Sequence, residues 1–333
     1  MKAGTGIISM LVLACVMGVI LSHSDHLESA EQMIVTARRL VQSPSGLKDP
    51  IWNGVTSAGL HVRGRDSFAN EAVKISMKAV YTPDELFFLF KWPDFTKSST
   101  KKAWRFDGTN WNHLEGDEDR LAIIFEITRI KGFATKGCAV ICHSPPDVPK
   151  KDWKLATQDP AEKADLWHWK AARSNPYHVA DDGWLTVAGN PSGSYRTTGR
   201  RPDDGEGGDV INETEDKSRP MYLQNPSQKS VEADILRFEA ATVIPPGTVF
   251  SAGDTLTYRM PRKHTRSRAD IKAIAQYENG EWTLMLSRKL ETGWPDDVQF
   301  NIRKDYSFAL ALFDDSGDDH SKATQAMILR FAR

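Results

Sequence analysis

The strongest constraint on the fold is a pattern of short β-segments closed by tight turns. Val73 to Tyr81 alternates apolar and polar residues, Thr82-Pro83-Asp84-Glu85 forms a turn, and Leu86 to Trp92 is apolar. Together they predict a hairpin. Asn279-Gly280, set between Ile271–Tyr277 and Trp282–Lys289, predicts a second, because both residues tolerate the positive φ of a primed turn. Further strands are expected at Arg120–Ile127, Tyr306–Phe313 and Ala326–Phe331. The unbroken apolar run Leu121 to Phe125 predicts burial on both faces. In a chain of 333 residues this pattern reads as mostly β: an immunoglobulin-like, antiparallel β-sandwich with a few helices.

Two regions depart from that pattern. Lys2 followed by the apolar run Gly6 to Leu21 predicts a secretory signal peptide or an uncleaved N-terminal anchor over residues 1–24. The run is short for a membrane span, so an exported, periplasmic protein is expected. Residues 25–47 read as a leading amphipathic helix, since Leu27, Met33, Ile34, Ala37, Leu40 and Val41 recur near helical spacing before Pro44 and Gly46. Residues 48–333 are then one sandwich domain. Within it, glycine, proline, charge and tryptophan accumulate over 133–240, and a long irregular insertion of that kind is expected to carry function. With 43 basic against 44 acidic residues and no basic stripe, no nucleic-acid partner is expected.

Gly137-Cys138-Ala139-Val140-Ile141-Cys142-His143 holds the two cysteines that lie outside the N-terminal run, with a histidine directly after the second. Two thiols and a following imidazole are what covalent haem attachment needs, although the usual spacing places two residues between the thiols and here there are three. A local disulfide in an oxidising compartment and a zinc site are the alternatives; the latter lacks a second cysteine pair.

Several segments resemble the haem-binding subunit family of ethylbenzene dehydrogenase, the gamma subunit found with molybdenum enzymes of the dimethyl sulfoxide reductase class. They are Asp49-Pro50-Ile51-Trp52, Phe90-Lys91-Trp92-Pro93-Asp94, Asp119-Arg120-Leu121-Ala122-Ile123, Asp165-Leu166-Trp167-His168-Trp169-Lys170-Ala171-Ala172-Arg173, the block Gly280 to Arg288, and Ser307-Phe308-Ala309-Leu310-Ala311. The resemblance implies a β-sandwich that lodges haem b between a methionine and a lysine. Lys170 matches that lysine, and Met77 is the match for the methionine. The cysteine-bearing insertion resembles instead the c-type branch, so haem c at Cys138 and Cys142, haem b, or both are expected. The resemblance further implies an electron-transfer role, with catalysis in iron–sulfur and molybdopterin partner subunits such as those of a nitrite/nitrate oxidoreductase, and exchange with other cytochromes. A free-standing periplasmic electron shuttle and a haem-free β-sandwich binding module are the competing readings.

The candidate ligands each have a plainer role beside them. His143 is tethered by the cysteine motif; Lys170 needs burial among Trp167 and Trp169 to lose its proton; His168 shares a strand face with Lys170 and is otherwise a core histidine; Met77 is otherwise core. His61 and Met221 are remaining candidates, and Arg173 is suited to a haem propionate or a structural salt bridge. His113, His178, His264 and His320 are expected at the surface. The acidic pairs Asp181-Asp182, Asp203-Asp204, Asp296-Asp297, Asp314-Asp315 and Asp318-Asp319 read as solvated turns, with calcium an alternative for one of them. No nucleophile with a base, acid–base pair or phosphate loop is visible, so no substrate turnover is expected.

Overall fold

A computed structural model describes residues 32–63, 72–142, 154–192, 195–228, 235–317, 320–322 and 326–333. Of two compact units, Met1–Glu31 and Gln32–Arg333, these belong to the second. The expected signal peptide or anchor, the first part of the expected helix, and His143 lie outside the described residues.

Among the described residues one sheet contains fourteen strands. In chain order they are β1 (Ile34–Arg39), β2 (Ala58–Arg63), β3 (Ala72–Tyr81), β4 (Glu85–Pro93), β5 (Arg120–Glu126), β6 (Lys154–Leu155), β7 (Ala164–Lys170), β8 (Asp181–Ser192), β9 (Tyr195–Pro202), β10 (Lys272–Glu278), β11 (Glu281–Lys289), β12 (Tyr306–Phe313), β13 (Ser321–Lys322) and β14 (Met327–Phe331). The order across the sheet is β10-β11-β4-β3-β1-β14-β12-β5-β7-β8-β9-β6, with β2 and β13 paired beside it. Both predicted hairpins form. Asn279 and Gly280 take φ of 52° and 77°, as the primed turn between β10 and β11 requires.

The sheet folds over on itself into a sandwich. Alternate residues of β3, β4 and β11, such as Ile75, Met77, Phe88, Phe90, Trp92, Trp282 and Leu284, meet Leu121, Ile123, Phe125, Trp167, Trp169, Phe308 and Leu310 from β5, β7 and β12 in one buried core. Aromatic contacts cross it, with Phe88 against Phe125 at 6.3 Å and Trp92 against Trp169 at 6.1 Å between ring centroids. The outer faces are covered separately. Trp52, from the 3-10 turn Pro50–Gly54, packs with Val55 on Phe87, Leu89 and Met285. On the far side, Phe133, Cys138 and Ile141 cover Ala122, Ile124, Leu166, Leu185, Ala309 and Ala311. Phe133 and Ile141 come from two helices of four residues each, α1 (Phe133–Lys136) and α2 (Ala139–Cys142), and Cys138 from the turn between them.

Three expectations need correction. Residues 34–39 are a strand and not part of a helix: β1 lies parallel between β3 and β14, burying Val35 and Ala37 at period two. That parallel pairing, together with β6 on β9, makes the sheet mixed where an antiparallel one was expected. The region 133–240 is not irregular throughout, because β7, β8 and β9 inside it continue the main sheet. Every residue of β7 is buried, polar ones included, so it shows no alternation of apolar and polar residues to read.

Candidate functional site

Strand alternation sorts the Trp-His-Trp-Lys block onto two faces. Asp165, Trp167 and Trp169 point into the inter-sheet core, whereas Leu166, His168 and Lys170 point to the outer face that Cys138 helps cover. His168 stands in register with Ala122 of β5 on one side and Asp181 of β8 on the other. Its ring lies 5.6 Å from that of Phe313. The imidazole is buried, and neither ring nitrogen has a hydrogen-bond partner. Burial, reinforced by the nearby cations Lys170, Arg200 and Arg120, holds its pKa well below 6.5, so the ring is neutral.

Asp181 organises the charges beside it. It is ion-paired with Lys170, accepts a hydrogen bond from Arg268 Nε at 2.7 Å, and lies 3.4 Å from both Arg200 Nη2 and His264 Nε2. Burial alone would raise its pKa, but Lys170, His264, Arg268 and Arg200 outweigh that and hold the carboxylate well below its ordinary range. Lys170 in turn is lowered from 10.5 to about 7, chiefly by burial and despite Asp181. A second carboxylate, Glu118, accepts from the backbone N–H groups of Ala172 and Arg173 and from Arg173 Nε at 2.5 Å. Among the described residues, the ion pairs of this network set Lys101, Arg120, Lys170, Arg173, Arg200, Arg259 and Arg268 against Asp117, Glu118, Asp181 and Asp209. The outer face is therefore cation-rich.

The structure brings some of the expected residues together and separates others. His168, Lys170 and Cys138 share the outer face of β5, β7 and β8. Met77 does not: it is fully buried in the inter-sheet core with Ile75 and Ala79, on the opposite side of β7 from Lys170. Cys142 ends α2, and its side chain lies outside the description, as does His143. Arg173 is engaged structurally, bridging Glu118 and Asp209. His61 and Met221 are exposed, the latter by 37%. His264, expected at the surface, is buried against Asp181. The acidic pairs are not all solvated turns either, since Asp181, Asp182, Asp203 and Asp297 are buried. Asp181 as the hub of the outer network was missed because its partners are remote in sequence.

The sequence pattern of the family described as ethylbenzene dehydrogenase matches residues 49–325. The chain belongs to the ethylbenzene dehydrogenase family. Membership associates it with an oxidoreductase complex. No curated protein matches it in sequence. Among solved structures it is similar to a proposed carbohydrate-binding protein from Bacteroides uniformis, at 8% identity and a TM-score of 0.39, covering 90% of this chain and 100% of the other. It is similar also to a family 9 carbohydrate-binding module from Caldicellulosiruptor kristjanssonii in complex with glucose, at 8% identity and a TM-score of 0.37, covering 91% and 96%. Among the described residues no helix is long and apolar enough to cross a membrane.

Proposed function

We propose that the chain is an exported, haem-carrying electron-transfer subunit of an oxidoreductase complex. The observation that carries this reading is His168, a neutral, buried imidazole with no partner for either nitrogen. Leaving such a group unsatisfied is costly, and haem iron accepts a neutral imidazole. The outer face suits the rest of a haem. Ala122, Ala309 and Ala311 are small and apolar, Cys138 is carried over them by the α1–α2 segment, and Arg120 and Arg200 add cationic charge of the kind that recognises propionates.

In this reading His168 is the leading iron ligand. Cys138 and Cys142 supply the covalent attachment if the haem is of c type, with His143 as a further ligand. Lys170 has its pKa close enough to neutrality to offer a free amine, but only on release from Asp181. Met77 faces the inter-sheet core, so it cannot pair with Lys170 on one iron without rearrangement of β7. Haem supplies one-electron chemistry when bound, and the chain contributes ligation, burial and charge. The partners would be iron–sulfur and molybdopterin subunits, as in a nitrite/nitrate oxidoreductase, together with other cytochromes, and the chain itself would turn over no substrate.

The test is the absorption spectrum of the full chain produced with haem-attachment machinery. A Soret band is expected, and pigment that stays on the polypeptide through acid–acetone extraction identifies haem c. His168→Ala should shift the spectrum, whereas Lys170→Ala should leave it largely unchanged. Protein without a Soret band after haem supply would overturn the proposal and favour a haem-free binding module.

A further inference from the structure

Beneath the candidate haem face, at the inner side of β7 and β8, four carboxylates gather around one guanidinium, and a fifth, Asp203, adjoins them through Asp297. Asp165 comes from β7, Asp182 from β8, Asp203 from just after β9, Asp270 from just before β10 and Asp297 from the segment after β11. Asp165, Asp182, Asp203 and Asp297 are 0–3% exposed. The cation is Arg288, whose Nη1 lies 2.7 Å from Asp165, 3.4 Å from Asp297 and 3.6 Å from Asp182, while Nη2 donates to the carbonyl of Val298.

The oxygen atoms outnumber their donors. Asp165 Oδ1, Asp182 Oδ2, Asp203 Oδ1 and both oxygens of Asp297 have no hydrogen-bond partner. One oxygen from each of Asp165, Asp182 and Asp297 falls within 4.8 Å of the others, and Asp297 belongs equally to a second such group with Asp203 and Asp296. Buried carboxylates stay ionised only when a cation compensates them; otherwise they take up protons. Arg288 neutralises one of the five.

We propose that Asp165, Asp182 and Asp297 hold a divalent cation of the calcium type, with Asp203 as a further oxygen donor. All the donors are hard oxygens, with no thiol or imidazole among them, which disfavours zinc, copper and iron. Calcium accepts six to eight oxygens in irregular arrangements, whereas magnesium demands near-octahedral geometry and keeps its waters, which a buried pocket of carboxylates from five segments does not suit. Bound there, the ion would tie β7 and β8 to the segment that carries Asp297, independently of any haem.

The full chain, stripped with EDTA and returned to chelator-free buffer, should take up one calcium ion by elemental analysis. Millimolar calcium should raise its melting temperature by roughly 5 °C, and magnesium by less. Asp297→Asn removes a carboxylate that accepts no hydrogen bond and should weaken calcium binding at least tenfold. Asp94→Asn, which alters the separate group formed with Asp119 and Asp314, should leave binding unchanged. If Asp297→Asn does not fold, Asp203→Asn replaces it, with a smaller loss in the same direction. No calcium uptake and no melting shift by the stripped chain would overturn the proposal, as would calcium retained by Asp297→Asn but lost by Asp94→Asn.

Discussion

Asp181 and Asp182 are neighbours on β8, yet the first is held well below the ordinary carboxylate range and the second is pushed well above it. Burial acts on both alike, so the difference lies in what each face supplies. On the outer face Asp181 meets Lys170, His264, Arg268 and Arg200. On the inner face Asp182 meets Asp165, Asp203 and Asp297, with Arg288 alone to set against them. One strand thus separates a cation-rich surface from an anion-rich pocket, and each excess marks a place where a ligand of opposite charge would complete the structure. The haem proposed above would bring its propionates to the outer face, and the divalent cation proposed above would sit at the inner one.

The largest effect that could break the comparison is expected from Arg288→Met. It strips the inner pocket of the Arg288 guanidinium, and in chelated protein it should cost about 3–5 kcal/mol in denaturant unfolding, the range for breaking a buried ion pair. A loss under about 1 kcal/mol would mean that the carboxylates are compensated by another route. Next comes the pair of neighbours. Asp181→Asn should cost about 2–3 kcal/mol, since Lys170 can shed its proton and so relieve part of the uncompensated charge. Asp182→Asn in chelated protein should cost less than about 1 kcal/mol, because burial and the neighbouring carboxylates already disfavour the charge that the amide removes. Equal costs for the two neighbours would show that the faces are electrostatically alike.

How far the sequence revealed these faces follows from the range of the interactions behind them. The hairpins were legible because Asn279-Gly280 and the alternation in Val73–Tyr81 act over a few residues. In the Trp167-His168-Trp169-Lys170 block, period-two alternation put His168 and Lys170 on one face, as the strand bears out. What could not be read was long-range. β1 is a strand only because β3 and β14 flank it, and Ile34, Ala37, Leu40 and Val41 fit helical spacing equally well. That Met77 and Lys170 lie on opposite sides of β7 could not be read, because it depends on which side of β7 faces the other half of the sandwich. Asp182 and Asp203 looked like turn residues because their companions Arg288 and Asp297 lie far along the chain.

A further contrast is expected in pH dependence. Carboxyl groups with raised folded pKa bind protons that the unfolded chain has released, so they contribute stability at low pH that is lost as pH rises toward the folded value. For Asp203 that value is about 8 and for Asp270 about 6, and Asp119 at about 7 and Asp94 at about 6 act in the same sense. His168 opposes them below pH 6.5, because it is neutral when folded, and Lys170 opposes them only above pH 7. Chelated protein should therefore lose stability between pH 4 and 8, and Asp203→Asn should flatten that fall by up to about 1.4 kcal/mol per pH unit. An unchanged slope in the variant would remove Asp203 from the inner set.

A comparably small effect is expected from Arg200→Met, which answers Arg288→Met across the strand. Arg200 contacts Asp181 at 3.4 Å, and its side chain is 32% exposed, so water screens the pair. Asp181 also keeps Lys170, Arg268 and His264 when Arg200 is removed. The variant should lose no more than about 1 kcal/mol in denaturant unfolding. A loss as large as that of Arg288→Met would mean that the outer network depends on every cation it holds, leaving none over for an anionic ligand. The expected small loss, measured on haem-free protein, would instead leave Arg200 available to a propionate.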